Sequence, residues 1–158
     1  MLKLIDIHKT FNPGTINEKV ALNGVDLHLN EGDFVTVIGG NGAGKSTMLN
    51  AVAGAWPVDS GKIIIGGTDV TKLSEYKRAA YLGRVFQDPM TGTAATMGIE
   101  ENLALAKRRG KTRLLKPGIT KAERQEYKEL LKILGLGLED RLTSKVGLLS
   151  GGQRPVSY

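Results

Sequence analysis

The sequence predicts an α/β protein: an antiparallel β layer, then a buried strand running through a glycine-rich loop into a helix, then a helical insert. Three observations predict it. Residues 25–30 alternate apolar and polar with period two, the mark of a half-buried strand. Residues 34–38, F-V-T-V-I, are continuously apolar and β-rich, and they run straight into G-G-N-G-A-G-K-S at 39–46. Tyr127, Leu130, Leu131 and Leu134 recur at helical spacing, which makes a core stripe.

Taken in order, residues 2–7 read as a short strand and Asn12-Pro13-Gly14 as a turn. His28 falls on the polar side of its strand. His8 has no partner suggested by spacing, so both histidines read as structural or surface residues. Residues 34–38 then read as a strand buried on both faces of a central sheet.

The stretch 39–46 fits G-x-x-x-x-G-K-[ST]. Its small residues let backbone N–H groups wrap a phosphate, and the helix that follows turns its positive end to the same anion. Lys45 supplies a charge for the outer phosphates, and Ser46 a hydroxyl for magnesium. Met48, Leu49 and Val52 give the helix its apolar side, and Gly54 and Pro57 stop it. A dinucleotide fold would need G-x-G-x-x-G, but Lys45 stands where its last glycine belongs.

Residues 62–65 read as a strand. Ser74 is placed to cap a short helix through Ala80. Residues 82–86 read as a strand closing on Gln87. Residues 90–97 are small and polar and read as a mobile or partner-dependent loop. Glu100 and Glu101 open a helix whose inner face is Ile99, Leu103 and Ala106. Thr120 and Glu123 form a capping box ahead of the Tyr127 helix, which Gly135 stops.

The 158 residues suffice for one domain with a core. With no cysteine there is no disulfide framework, which suits the cytosol. A charge comes too early for a signal peptide, and no apolar run nears the ~20 residues of a membrane span. Any service to a membrane is therefore expected from its surface. The net charge of +6 is local: residues 107–124 carry eight basic side chains and one acid, leaving −1 for the rest. A solvated face is the plain reading, ahead of anionic lipid or an acidic partner. No aromatic is interleaved there, which argues against nucleic acid.

Leu149-Ser150-Gly151-Gly152-Gln153 is the second decisive stretch. Alone, it reads as a capped helix start. Together with the phosphate loop it resembles the ATP-binding cassette (ABC) ATPases, whose signature motif is L-S-G-G-Q. The order of loop, Gln87, helical segment and signature matches too, over residues 2–154.

The resemblance implies an ABC-type P-loop NTPase fold, with an N-terminal antiparallel β layer (1–33), a P-loop core (34–88) and a helical subdomain with the signature (89–154). It implies ATP and magnesium as cofactors. Gly39, Gly40, Asn41, Gly42, Ala43, Gly44, Lys45, Ser46 and Thr47 would cradle the phosphates, and Phe11 would be the adenine platform. Ser46 and Gln87 would reach magnesium, with Lys45 and Gln87 serving catalysis. Ser150, Gly151, Gly152 and Gln153 would contact the γ-phosphate held by a second subunit, in a head-to-tail homodimer.

The implied function is the ATP-binding subunit of a transporter, on the cytoplasmic face of the membrane and peripheral to it. Permease subunits and a solute-binding protein would be its partners, and nucleic acid would not. S-G-K-I-I-I-G-G and V-F-Q-D-P resemble importers of amino acids or similar small solutes. Two alternatives stand beside this: a non-catalytic remnant that poisons dimers, or a soluble non-transport ABC ATPase. Guanine is disfavoured for want of N-K-x-D.

Beyond Arg154 the pattern departs. The family continues into a strand ending in Asp-Glu, the Walker B motif, and this chain has none. Pro155 would cost about 3 kcal/mol inside the expected helix. Residues 155–158 therefore read as foreign to the family, the chain as truncated, and the truncated chain by itself as inactive. Without neighbouring strands, residues 34–38 are expected to show an open apolar edge and to leave the chain marginally stable.

Overall fold

The structure, a computed structural model, describes residues 1–111 and 118–149. It divides into two compact units, Met1–Gly83 and Arg84–Tyr158. The β layer and the phosphate loop thus share one unit. Gln87, grouped with the loop in the sequence reading, falls in the other.

In the first unit the elements are β1 (Leu2–Phe11), β2 (Lys19–Leu29), α1 (Lys45–Ala53), β3 (Ser60–Ile65), β4 (Thr68–Asp69) and α2 (Glu75–Arg78). The four strands form one antiparallel sheet in the order β2-β1-β3-β4. β1 runs beyond residues 2–7 to Phe11, and it carries an irregularity. Asp6 takes φ 49, and the register slips there against both neighbours. An Asp tolerates this left-handed conformation better than most residues. The slip lets Leu4 and Ile7, three apart, both enter the core, where strict alternation would oppose them. The Asp6 N–H donates to Asp26 Oδ1 at 2.9 Å, and His8 Nε2 meets Asp6 Oδ1 at 2.8 Å. His8 therefore has the partner that spacing did not suggest. His28 is exposed, as read.

Leu4, Ile7, Leu22, Ala51, Ile63 and Val70 make the first core, with Met48 and Val52 packed against it from α1. Leu49 is exposed, and Ala51 takes the buried place instead. Ser74 does stand at the N-cap of α2, but its side chain makes no capping bond.

Two strand expectations are corrected. Residues 34–38 and 82–86 form no strand, and Phe34 and Ile38 are 94% and 89% exposed. A strand requires a ladder, and among the described residues no segment pairs with either run. Their composition is β-like, but composition does not supply a neighbour.

In the second unit α3 (Ile99–Lys107) and α4 (Lys121–Lys132) pack with 3₁₀ turns at Leu138–Asp140 and Val146–Leu148. The core is Ile99, Ala104, Tyr127, Leu131, Leu138, Leu142, Val146 and Leu149. Ala106, Leu130 and Leu134 are exposed, so both helical stripes are narrower than their spacing implied, and Ala104 replaces Ala106. The Thr120–Glu123 capping box forms: Thr120 Oγ1 accepts from Glu123 N at 3.2 Å, and Glu123 Oε2 accepts from Thr120 N at 2.8 Å. Residues 94–98 are tied down by Asn102, whose side chain accepts from Ala94 N at 2.9 Å and donates to the Ala94 and Gly98 carbonyls. That part of the loop read as mobile has a specific anchor.

The basic stretch is partly consumed by structure. Arg124 makes a two-pronged pair with the buried Glu100 at 2.6 and 2.7 Å. Arg108 pairs with Glu123, and Lys107 with Glu126. Three of the charges thus lock α3 to the helix that follows.

Candidate nucleotide-binding site

α1 begins at Lys45 behind Gly44, and neither a side-chain cap nor an acid occupies its first turn. Its N–H groups and the positive end of its dipole are left open to an anion. Gly44 is required at the bend. It takes φ 83, and a Cβ there would lie 2.5 Å from the Ala21 carbonyl of β2. The loop is therefore pressed against the β layer. Lys45 folds back along it, donating from Nζ to the Gly39 and Gly40 carbonyls at 2.5 and 2.7 Å. Thr47 is buried, and Ser46 is exposed at the start of the helix.

A cavity of about 290 Å³ lies over this loop, lined by Phe11, Lys19, Ala21 and residues 41–47. It brings Phe11, at the end of β1, to the same space as the loop. The Phe11 ring meets Trp56 edge-on, with centroids 5.1 Å apart at 83°, and Lys9 Nζ stands 5.6 Å from its centre. Asp59 fixes the strand end. Its carboxylate accepts from Thr10 N at 2.5 Å and Lys9 Nζ at 2.9 Å, while its own N–H donates to the His8 carbonyl. The Lys9 bond first, then the Thr10 N–H, holds the Asp59 carboxyl below its usual range.

The far end of α1 is held by Arg78, which is 1% exposed. Its guanidinium donates to the carbonyls of Ala51 (2.6 Å), Val52 (3.0 Å), Thr71 (2.8 Å) and Leu73 (3.0 Å). A cation at a helix C-terminus meets the negative end of the dipole. Burial dominates its pKa and lowers it.

These residues fit a nucleotide. An uncapped helix start, a loop admitting backbone to close approach and an aromatic face share one cavity of small-ligand size. Toward magnesium the loop offers the Ser46 hydroxyl, and no cluster of three or more His, Asp or Glu stands among the described residues. Gln87 is exposed in the second unit. Ser150, Gly151, Gly152 and Gln153 lie outside the described residues, while Leu149 just before them is buried in the helical core.

Sequence reasoning missed Lys19, Trp56, Asp59 and Arg78. A usable signal existed for Lys19: the turn after Phe11 folds the hairpin so that Phe11 pairs with Lys19. Arg78 gave none, because its partners are backbone carbonyls.

Comparison with known proteins agrees with this geometry. A family profile described as ABC transporter matches residues 22–156. The tyrosine transport ATP-binding protein of Clostridioides difficile (strain R20291) is 40% identical over 98% of the chain, which spans 61% of that relative. A methionine import ATP-binding protein of Rhizobium etli is 37% identical over 98% of the chain, and the chain spans 39% of it. A bacterial ABC transporter cassette solved as a dimer superposes with a TM-score of 0.78 at 29% identity, covering 99% of this chain and 67% of that one. A structure of a post-hydrolysis state bound to ADP and Pi gives a TM-score of 0.78 at 28% identity, with the same coverage. The chain thus spans about three fifths of one curated relative and two fifths of the other.

Proposed function

The chain belongs to the ABC transporter family and has the fold of its ATP-binding cassettes, and from that premise we propose that it is the nucleotide-binding part of a subunit coupling ATP binding and hydrolysis to solute transport. The observation that carries this is the single cavity joining Phe11 to the loop at the start of α1. Import of amino acids or similar small solutes is the direction favoured by the relatives named for tyrosine transport and methionine import.

Bound ATP with magnesium would supply the free energy of a phosphoanhydride bond. The chain's own residues do the binding. The Phe11 face stacks on the base, a contact worth about 1–3 kcal/mol in comparable base–aromatic pairs. The α1 start and Lys45 neutralise the phosphates, and Ser46 offers the hydroxyl for magnesium. Gln87 would sense that metal, and Ser150, Gly151, Gly152 and Gln153 would complete the site of a second, head-to-tail subunit. A neighbour solved as a dimer supports the presence of a second subunit.

Permease subunits and a solute-binding protein complete the proposed system. The subunit would sit peripherally on the cytoplasmic face of the membrane, and no helix among the described residues is long and apolar enough to cross one. Phosphoryl transfer needs a positioned base as well as a cradle. For these 158 residues we therefore expect binding without steady turnover.

Trp56 is the one tryptophan and touches Phe11, so its emission reports the site directly. Titration with ADP and ATP should give saturable changes. Lys45→Ala should weaken binding at least about tenfold, and Phe11→Ala should cost about 1–3 kcal/mol. No saturable response in the wild type would overturn the reading. Steady phosphate release abolished by Lys45→Ala would overturn the expectation of no turnover. Co-purification with a permease tests the transport role.

A further inference from the structure

We propose that Lys19 is a second phosphate-binding cation of this site, supplied by the β layer from outside the 39–46 motif and acting on the part of the phosphate chain nearest the base. The proposal rests on the nucleotide reading above.

Three observations converge on it. Lys19 lines the cavity together with Phe11 and the loop. It is the cross-strand partner of Phe11, so the base platform and the ammonium come from one rung of the β1–β2 ladder. Its Nζ reaches over the loop, lying 3.3 Å from where a Cβ on Gly42 would stand. Lys45 instead rests on the carbonyls of Gly39 and Gly40, so the two ammonium groups attend different stretches of the loop.

Charge accounting sharpens the point. Lys9, the other lysine beside Phe11, is paired with Asp59. Lys45 is held by two carbonyls, whereas among the described residues Lys19 has no ion-pair partner. An ammonium without a carboxylate, in a concave site beside an open helix start, adds to the field that draws an anion in. Placed between ring and loop, it meets the phosphates that link the base to the chain's outer end. The bond to phosphate would be charge-assisted, and a lysine acts there as a point charge.

The test is equilibrium binding of ADP and of adenosine to the full chain, read by Trp56 emission, for the wild type, Lys19→Gln and Lys19→Arg. The expected result is a roughly five- to tenfold loss of ADP affinity in Lys19→Gln, with a shallower salt dependence. Adenosine affinity should be unchanged, and Lys19→Arg should recover most of the ADP affinity. Unchanged ADP affinity in Lys19→Gln would overturn the proposal. So would an equal loss for ADP and adenosine, because Lys19 would then act by packing on Phe11 and not by charge. A wild type that binds neither ligand would overturn the nucleotide reading itself, a result distinct from wild-type binding that is indifferent to Lys19.

Discussion

Arg78 Nη1 donates to the Ala51 carbonyl at 2.6 Å, so a buried guanidinium with four carbonyl acceptors closes the end of the helix that opens on the phosphate loop. α1 is held at both ends by cations, Lys45 at its start and Arg78 at its finish. Gly54 makes room for the second: a Cβ there would fall 2.8 Å from Arg78 Nε. Replacing Arg78 by Met takes the guanidinium donors from the partly buried Val52, Thr71 and Leu73 carbonyls, at about 1–3 kcal/mol for each left unsatisfied, while the Ala51 carbonyl keeps the Gly54 N–H. We expect Arg78→Met to destabilise the chain by about 3 kcal/mol or more and Arg78→Lys by less. Urea unfolding midpoints at constant slope measure both. A change within about 0.5 kcal/mol for the methionine variant would refute this role.

Gly44→Ala should damage the site more than the fold. The substitution forces a side chain into φ 83 and against the Ala21 carbonyl. The loop must then lift from β2, away from the residues that line the cavity with it. The expected outcome is loss of ADP binding by more than tenfold with far-UV circular dichroism preserved. Retention of wild-type affinity would show that the close approach to β2 is dispensable.

The α3–α4 unit should carry an acid-sensitive joint. Glu123 is drawn from the ordinary 4.5 down to about 2, first by the Thr120 N–H, then by Arg108 and the Thr120 hydroxyl. Its folded pKa is the lower one. Its stabilising contribution is therefore complete above about pH 4.5 and is lost as pH falls towards 2. In Glu123→Gln that part of the acid arm should flatten. Helicity followed between pH 6 and about 2 compares the two; parallel curves would count against it.

Tyr127 buries a hydroxyl that has no hydrogen-bond partner among the described residues, and burial first of all raises its pKa. A lone buried hydroxyl costs free energy that the ring alone would not. Tyr127→Phe should leave stability unchanged or raise it by about 1 kcal/mol. A loss of more than about 1 kcal/mol in thermal or urea unfolding would mean that the hydroxyl has an unseen partner.

What could be read from sequence was what depends on near neighbours. The phosphate loop, the Thr120–Glu123 box and the alternation of residues 25–30 are patterns within a few positions, and the structure forms each where its spacing places it. What failed depended on partners distant in the chain. Residues 34–38 were correctly read as apolar, but a ladder needs a second strand and none of the described residues provides it. Nothing in the sequence distinguishes Arg78 on its short helix or Asn102 on α3. Both are defined by backbone carbonyls that a sequence does not display. Lys19 is half legible: the turn after Phe11 announces a hairpin, but the pairing with Phe11 follows only once its register is known.

The kink at Asp6 also governs how this chain tolerates changes of length. β1 changes register against β2 at the kink and again between Ile7 and Thr10. The stretch before the kink carries Leu4 into the core, and the stretch after it carries Phe11 to the cavity. Side chains on a strand alternate, so losing one residue between the kink and Phe11 would swing the ring to the opposite face. Every letter from Gly39 to Ser46 would survive such a deletion, and so would any search for the motif. Homologous chains aligned through this region should therefore be compared by the number of residues separating kink from ring before their motifs are counted as equivalent.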